Sequence, residues 1–164
     1  MLDRRLIVLM TLCVIVILAG CEGGETTDGL ERGTLIGPGG GTILSPDRNA
    51  TVEVPDAAID EPQQFTCQEI GSPEPDPGLV ADTAYRFSPD GYLFDAPVTL
   101  TINYREANIP TGVDEASLQI ARLEASEWVP VAASVIDATD NSVSASITGF
   151  STFAVVGDVS APEE

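Results

Sequence analysis

The feature that most constrains the fold is an alternation of apolar and polar residues in several parts of the chain. In "VTLTINY", residues 98–104, valine, leucine, isoleucine and tyrosine alternate with threonine and asparagine. The same pattern occurs in "TVEV" (51–54) and "VSASI" (143–147). A period of two places alternate side chains on opposite faces of a β-strand, whereas a helix repeats about every 3.6 residues. The sequence therefore predicts strands with one buried face, and it predicts that Leu100 lies in the core.

Turn-forming residues separate further strand-like segments. The turns are rich in glycine, proline, aspartate and asparagine, and the proline-rich "GSPEPDPG" (71–78) cannot be an inner strand. Further strand-like runs are at 64–70, 84–88, 117–123, 128–135 and 151–156. Many short strands without a long helix indicate an all-β fold, either an antiparallel β-sandwich or an open barrel. We expect the sandwich. Trp128 is either a core residue or a surface aromatic that stacks on sugars, and its strand parity favours the core.

The N-terminal segment has the layout of an export signal. Two arginines precede a largely apolar run over residues 6–19, which is shorter than the roughly 20 residues of a membrane-spanning helix. The run ends in "LAGC", residues 18–21, which resembles the lipobox of bacterial lipoproteins. That resemblance implies cleavage between Gly20 and Cys21 and acylation of the Cys21 thiol. The alternative is an uncleaved signal anchor in which the cysteine occurs by chance.

Charge and composition exclude some partners and some chemistry. The chain has seven Lys plus Arg against 26 Asp plus Glu, for a net charge of −19. Such a surface repels phosphate backbones and anionic lipid headgroups, so we expect no nucleic-acid partner and a membrane contact only through the acylated Cys21. The chain has no histidine, the usual general base at neutral pH. We therefore expect a non-enzymatic protein.

The cysteines indicate neither a disulfide nor a metal centre. Cys13 would leave with the signal and Cys21 would be acylated, so the mature chain has no pair of thiols for an internal disulfide. Cys67 shares strand parity with Phe65 and is predicted to be a small core residue rather than a reactive thiol. The chain has no Cys/His cluster of the metal-ligand type, and we expect no cofactor.

Four segments together resemble the ZU-five domain, the β-rich module of ankyrins, netrin receptors and zonula occludens proteins. In order they are "GGGTILSPDRNATVEVPDAAI", "YRFSPDGYLFDAPVTLTINY", "SLQIARLEASEWVPV" and "NSVSASITGFSTFAVV". The match spans residues 37–157. Similar modules occur in bacterial extracytoplasmic proteins. The resemblance implies a β-sandwich whose known uses are mostly protein–protein contact and scaffolding.

One subset of that family cuts its own chain. In those members the serine of a His-Phe-Ser step attacks the preceding carbonyl. The matching positions here are Gly149, Phe150 and Ser151, so glycine replaces the histidine. A serine hydroxyl is a poor nucleophile without an adjacent base, and the chain has neither histidine nor lysine. We therefore expect a degenerate site, with Phe150 and Phe153 as packing residues and Ser151 as a strand residue.

The sequence thus divides into four parts. Residues 1–20 are a lipoprotein signal peptide that is removed, and 21–36 are the lipidated cysteine and a flexible tether. Residues 37–157 are the ZU-five-like β-sandwich, and 158–164 are a polar tail. We expect the domain to face the periplasm or the cell exterior, anchored in the cell membrane or the outer membrane. Its function would be protein–protein interaction or scaffolding, with a protein partner that the sequence does not identify.

Two alternatives to this function involve the acidic residues or the serine. The first is a calcium- or carbohydrate-binding module, since calcium prefers six to eight oxygen ligands. Its candidate ligands are Glu74, Asp76 and Asp82, or Asp137, Asp140 and Asn141. The second is an enzyme, either one that uses a pair of carboxylates or a domain that cleaves itself before Ser151.

Overall fold

The computed structural model describes residues 33–71 and 73–160. The predicted signal peptide, the cleavage and lipidation site at Gly20 and Cys21, and most of the predicted tether lie outside the described residues. The end of the polar tail, 161–164, lies outside them as well.

The described part of the chain folds into β-strands joined by turns and two short 3₁₀ helices. The strands are β1 (Thr34–Ile36), β2 (Gly41–Leu44), β3 (Ala50–Val54), β4 (Gln63–Glu69), β5 (Tyr85–Ser88), β6 (Leu93–Asn103), β7 (Gln119–Glu124), β8 (Glu127–Pro130), β9 (Val135–Asp137), β10 (Ser142–Gly149) and β11 (Thr152–Val156). The 3₁₀ helices are Glu106–Asn108 and Glu115–Ser117.

The strands form two antiparallel sheets that pack face to face. The first sheet has the strand order β1-β4-β5-β11-β7-β8, and the second has the order β2-β3-β6-β10-β9. The last strand of the described residues, β11, therefore lies in the interior of the first sheet, between β5 and β7. The predicted all-β, antiparallel β-sandwich is confirmed.

The alternation in the sequence matches the two faces of the second sheet. Leu100 on β6 is fully buried, and it lies opposite Val52 on β3 and Ala145 on β10. The polar residues between them face outward because side chains alternate across a strand. The predicted core position of Leu100 is confirmed, and so is that of Cys67.

Two predictions of local structure were wrong. The single run 128–135 is divided between β8 and β9, because Ala133 adopts a φ of 59° and the Ser134 hydroxyl donates to the Val131 carbonyl at 3.0 Å. Ser151 is not in a strand but in the connection between β10 and β11, where the chain passes from one sheet to the other.

Trp128 is half-buried on the outer face of the first sheet, and not in the main core as predicted. It packs with Ile70 against a small second cluster whose members are Leu79, Ala84, Ala121, Ala154 and Val156. Its indole N–H donates to the Glu74 carbonyl at 3.1 Å. Trp128 therefore holds the proline-rich segment against this face.

Candidate functional site

The three residues that match the cleavage motif lie at the corner where the second sheet connects to the first. Gly149 is the last residue of β10, and Phe150 and Ser151 precede β11. The register of β10 against β6 shifts between Ile147 and Gly149, so that Gly149 lies opposite Leu93. This irregularity bends the strand toward the other sheet, which is a common use of a β-bulge.

Position 149 has no room for a side chain. A Cβ atom built on Gly149 would lie 2.6 Å from the Tyr92 carbonyl oxygen and 2.9 Å from Cδ2 of Leu93. The first of these contacts is with backbone, which cannot rotate away as a side chain does. A histidine at 149 would therefore require this corner to move.

Phe150 is a packing residue of the main core. Its side chain is 3% exposed. Its ring contacts those of Phe65, Phe87 and Phe94, with centroids 5.2, 5.2 and 4.9 Å away. The pairs with Phe65 and Phe94 are edge-to-face, an arrangement that adds about 0.5–1.5 kcal/mol each beyond the burial of area. The predicted packing role of Phe150 is confirmed, and Phe153 is buried as well.

Hydrogen bonds hold the backbone on both sides of the Phe150–Ser151 peptide bond. The Phe150 N–H donates to the Tyr92 carbonyl at 2.8 Å, and the Phe150 carbonyl accepts from the Gly91 N–H at 3.0 Å. The Ser151 carbonyl accepts from the Phe87 N–H, also at 3.0 Å. The carbonyl that Ser151 would have to attack is thus held in place, while the position that holds the base in cutting family members carries no side chain.

No protein-family model and no curated protein matches the chain.

Three of the candidate calcium ligands, all aspartates, accept hydrogen bonds, whereas the buried Oδ1 of a fourth candidate, Asn141, has no hydrogen-bond partner. Asp76 accepts from the Gly78 N–H at 2.7 Å, and Asp82 accepts from the Asn108 amide at 3.1 Å. Asp137 accepts from the N–H groups of Thr139 and Asp140 at 2.9 and 3.3 Å. Within residues 33–71 and 73–160, no three His, Cys, Asp or Glu side chains come together in a group suited to a metal ion.

Two buried tyrosines donate hydrogen bonds to carboxylates. The sequence did not predict these bonds. The Tyr85 hydroxyl, from β5 of the first sheet, donates to Asp47 at 2.7 Å, in the turn between β2 and β3 of the second sheet. The Tyr104 hydroxyl donates to Glu115 at 2.6 Å. Burial first, and then the bond to Asp47, raises the pKa of Tyr85 above its ordinary value. The apolar parity of both tyrosines predicts burial, but only the fold shows which carboxylate each one reaches.

Asp47 is the acceptor for several groups in its turn. Burial acts to raise the pKa of Asp47, but hydrogen bonds from Ser45, Tyr85 and Asn49 outweigh it and hold the pKa below its usual value. The "SPD" segment is typical of a turn in which aspartate bonds the backbone two residues on. This one also connects the two sheets.

A cleft of about 240 Å³ opens between the sheets beside β10. Its apolar surface includes Val129, Val131, Ile147 and Phe153, and Arg122 and Glu124 lie along its wall. Those last two side chains form an ion pair on the surface. The sequence did not predict this cleft, because the cleft depends on how much of β10 is covered by β9, which begins only at Val135.

No helix in the part of the chain that the structure describes is long and apolar enough to cross a membrane.

Proposed function

We propose that the chain is a lipid-anchored envelope protein whose β-sandwich is a non-enzymatic module for protein–protein interaction or scaffolding. The observation that carries this proposal is the "LAGC" step at residues 18–21, which follows two arginines and an apolar run in the order of a lipoprotein signal. The sandwich is the fold that the resemblance to ZU-five domains implies, and it supports assigning the module to that group.

The charge of the chain supports an anchor made of lipid rather than of side chains. A net charge of −19 repels anionic headgroups. Each buried methylene of an acyl chain contributes about 0.8 kcal/mol, and a second chain converts marginal binding into stable anchoring. Acylation of Cys21 would therefore be sufficient to keep the domain at the membrane.

Three observations support a role without catalysis. The chain contains no histidine or lysine. Gly149 stands where the cutting members of the resembled family have histidine, and a Cβ there would contact the Tyr92 backbone. The acidic residues Asp76 and Asp137 accept hydrogen bonds within their own loops, and Asp82 accepts one from Asn108 in the 3₁₀ helix after β6.

Substitution of Cys21 tests the anchor. In Cys21→Ser the intact mass should lack the acyl chains, and the chain should either appear in the soluble fraction or remain an uncleaved precursor, because serine offers no thiol. Cys13→Ser is the matched control, since it removes a thiol within the signal but leaves the lipobox intact. Acyl chains that persist in Cys21→Ser, or a wild-type chain without them, would contradict the proposal.

A further inference from the structure

One edge of the second sheet is only partly covered. Strand β9 begins at Val135, opposite Ser144, and pairs with β10 only over Ser142–Ser144, whereas β10 continues to Gly149. If β9 were longer, Ala133 would lie opposite Ser146. Instead, the residues just before β9 lie toward the first sheet, where the Ser134 hydroxyl accepts from the Ile120 N–H. Among the described residues, no strand pairs with β10 beyond Ser144 on this side.

The ladder shows which backbone groups this leaves open. The Tyr104 N–H donates to Asn141, and the Asn103 N–H donates away from β10, to Asn49. Because these directions alternate in an antiparallel pair, Ser146, opposite Thr99, points its N–H and C=O away from β6. An N–H and a C=O that point outward from a sheet edge without a partner strand can pair with another strand.

The open edge borders the 240 Å³ cleft, whose lining includes Ser146 and Ile147. A strand added beside β10 would turn alternate side chains inward, toward Ile147, Val131 and Phe153. An aliphatic side chain fits that apolar floor. The residue opposite Ser146 would exchange both backbone hydrogen bonds with it and point its own side chain outward.

We infer that this edge takes an extended, basic segment of a partner protein as an added strand, with an aliphatic side chain in the cleft. The inference deepens the proposed interaction function and rests on it. The occupant follows from charge. Glu124 lines the cleft and lies opposite Glu127, and Arg122 already pairs with Glu124. A second copy of the chain would be repelled, because each copy has a net charge of −19. A segment with basic residues would be attracted to this acidic surface.

A synthetic heptapeptide of alternating lysine and valine, labelled with a dye, is a suitable probe. It is titrated by fluorescence anisotropy against the full chain in nonionic detergent at physiological salt. With valine inward, the lysine N–H groups bond to Ser146. Methylating the lysine backbone nitrogens should weaken binding by about tenfold or more, while methylating those of valine should change it by less than about twofold. All three peptides have the same charge.

Two valine variants provide the matched test on the protein. Val129 lines the cleft and is 39% exposed, and Val159 does not line it and is 46% exposed. Val129→Arg should weaken binding of the parent peptide by about tenfold, and Val159→Arg, with the same charge change, should leave it within about twofold. The Ser146 amide should exchange more slowly with solvent when the peptide is bound.

Several results would overturn the inference. The first is that both methylated peptides bind like the parent peptide and that Val129→Arg and Val159→Arg change binding equally. Binding would then come only from long-range attraction between charges. Absence of binding at millimolar peptide would also refute it, as would a dimer of the chain that protects Ser146 without peptide. A wild-type chain that carries no acyl chains but still binds the peptide would contradict only the anchor.

Discussion

The outer faces of the two sheets differ in what covers them. On the first sheet, Trp128, Ile70 and Leu79 cover a row of small side chains that includes Ala121 and Ala154. On the second sheet, cross-strand neighbours form a mostly uncharged, hydroxyl-rich surface that is open to solvent. Its hydroxyl members are Thr42, Thr51, Thr99, Thr101, Ser142, Ser144 and Ser146.

The difference explains why two neighbouring strands of the sequence have different patterns. β10, "SVSASITG", alternates because only one of its faces is buried. β11, "TFAVV", is buried at all five positions because the core lies on one side and the second cluster on the other. A strand covered on both faces loses the alternation that a half-exposed strand keeps.

The largest expected effect on stability is a difference between substitutions on the inner and the outer face of the second sheet. Leu100→Asp should unfold the domain, because an unpaired buried carboxylate costs several kcal/mol. Thr101→Asp, one residue along the same strand but on the outer face, should remain folded. Circular dichroism and gel filtration would measure both. A folded, monomeric Leu100→Asp chain would refute the assignment of faces.

Removing the cover of the first sheet should have the next largest effect. Trp128→Ala should lower the free energy of unfolding by about 3 kcal/mol, since it removes a half-buried ring over Ala154 and Leu79. Trp128→Phe keeps an aromatic ring and loses the bond to the Glu74 carbonyl, so its loss should be smaller. Denaturant unfolding measures both. If Trp128→Ala costs no more than Thr99→Ala on the open face, the two outer faces do not differ energetically.

The corner that joins the sheets should tolerate no side chain at 149. Gly149→His should be destabilised by about 2 kcal/mol, because its Cβ would press on the Tyr92 carbonyl. Thr148→His, at an exposed neighbour, is the control and should be close to neutral. Intact mass should show both chains whole. Two fragments divided before Ser151 in Gly149→His would show that the backbone yields and that histidine alone restores cleavage.

The smallest expected effect concerns the bond that ties the first sheet to a turn of the second. Tyr85→Phe should cost about 1 kcal/mol through loss of the hydroxyl bond to Asp47. Because the folded-state pKa of Asp47 is below its unfolded value of 3.8, its contribution is present above that pH and is lost as the pH falls through the folded pKa.

The pH dependence provides the corresponding measurement. Asp47→Asn should reduce the loss of stability on acidification below pH 3.8, measured by denaturant unfolding at several pH values. Asp56→Asn, in the turn after β3, is the control. An acid dependence that is the same in both variants would show that the turn at Asp47 does not link the sheets energetically.

Local patterns were enough to predict the sandwich and the core position of Leu100, because alternation reports burial directly. The packing of Phe150 was predicted from the apolar run around it, since it does not follow the alternation of β10. Local patterns misplaced Trp128, because pairing with Leu123 is possible with the ring on either face of the sheet. Only the path of residues 73–81 decides which face is covered. The lack of space at Gly149 and the cleft beside β10 depend on distances between strands far apart in sequence. The sequence pattern does not contain those distances.

The interior position of β11 affects the order in which the protein can be completed. Until residues 152–156 are available, the first sheet has a gap between β5 and β7, and neither half has its final neighbour. A chain that emerges N-terminus first, from a ribosome or across a membrane, cannot close this sheet early. The topology thus keeps the first sheet incomplete until β11 is available.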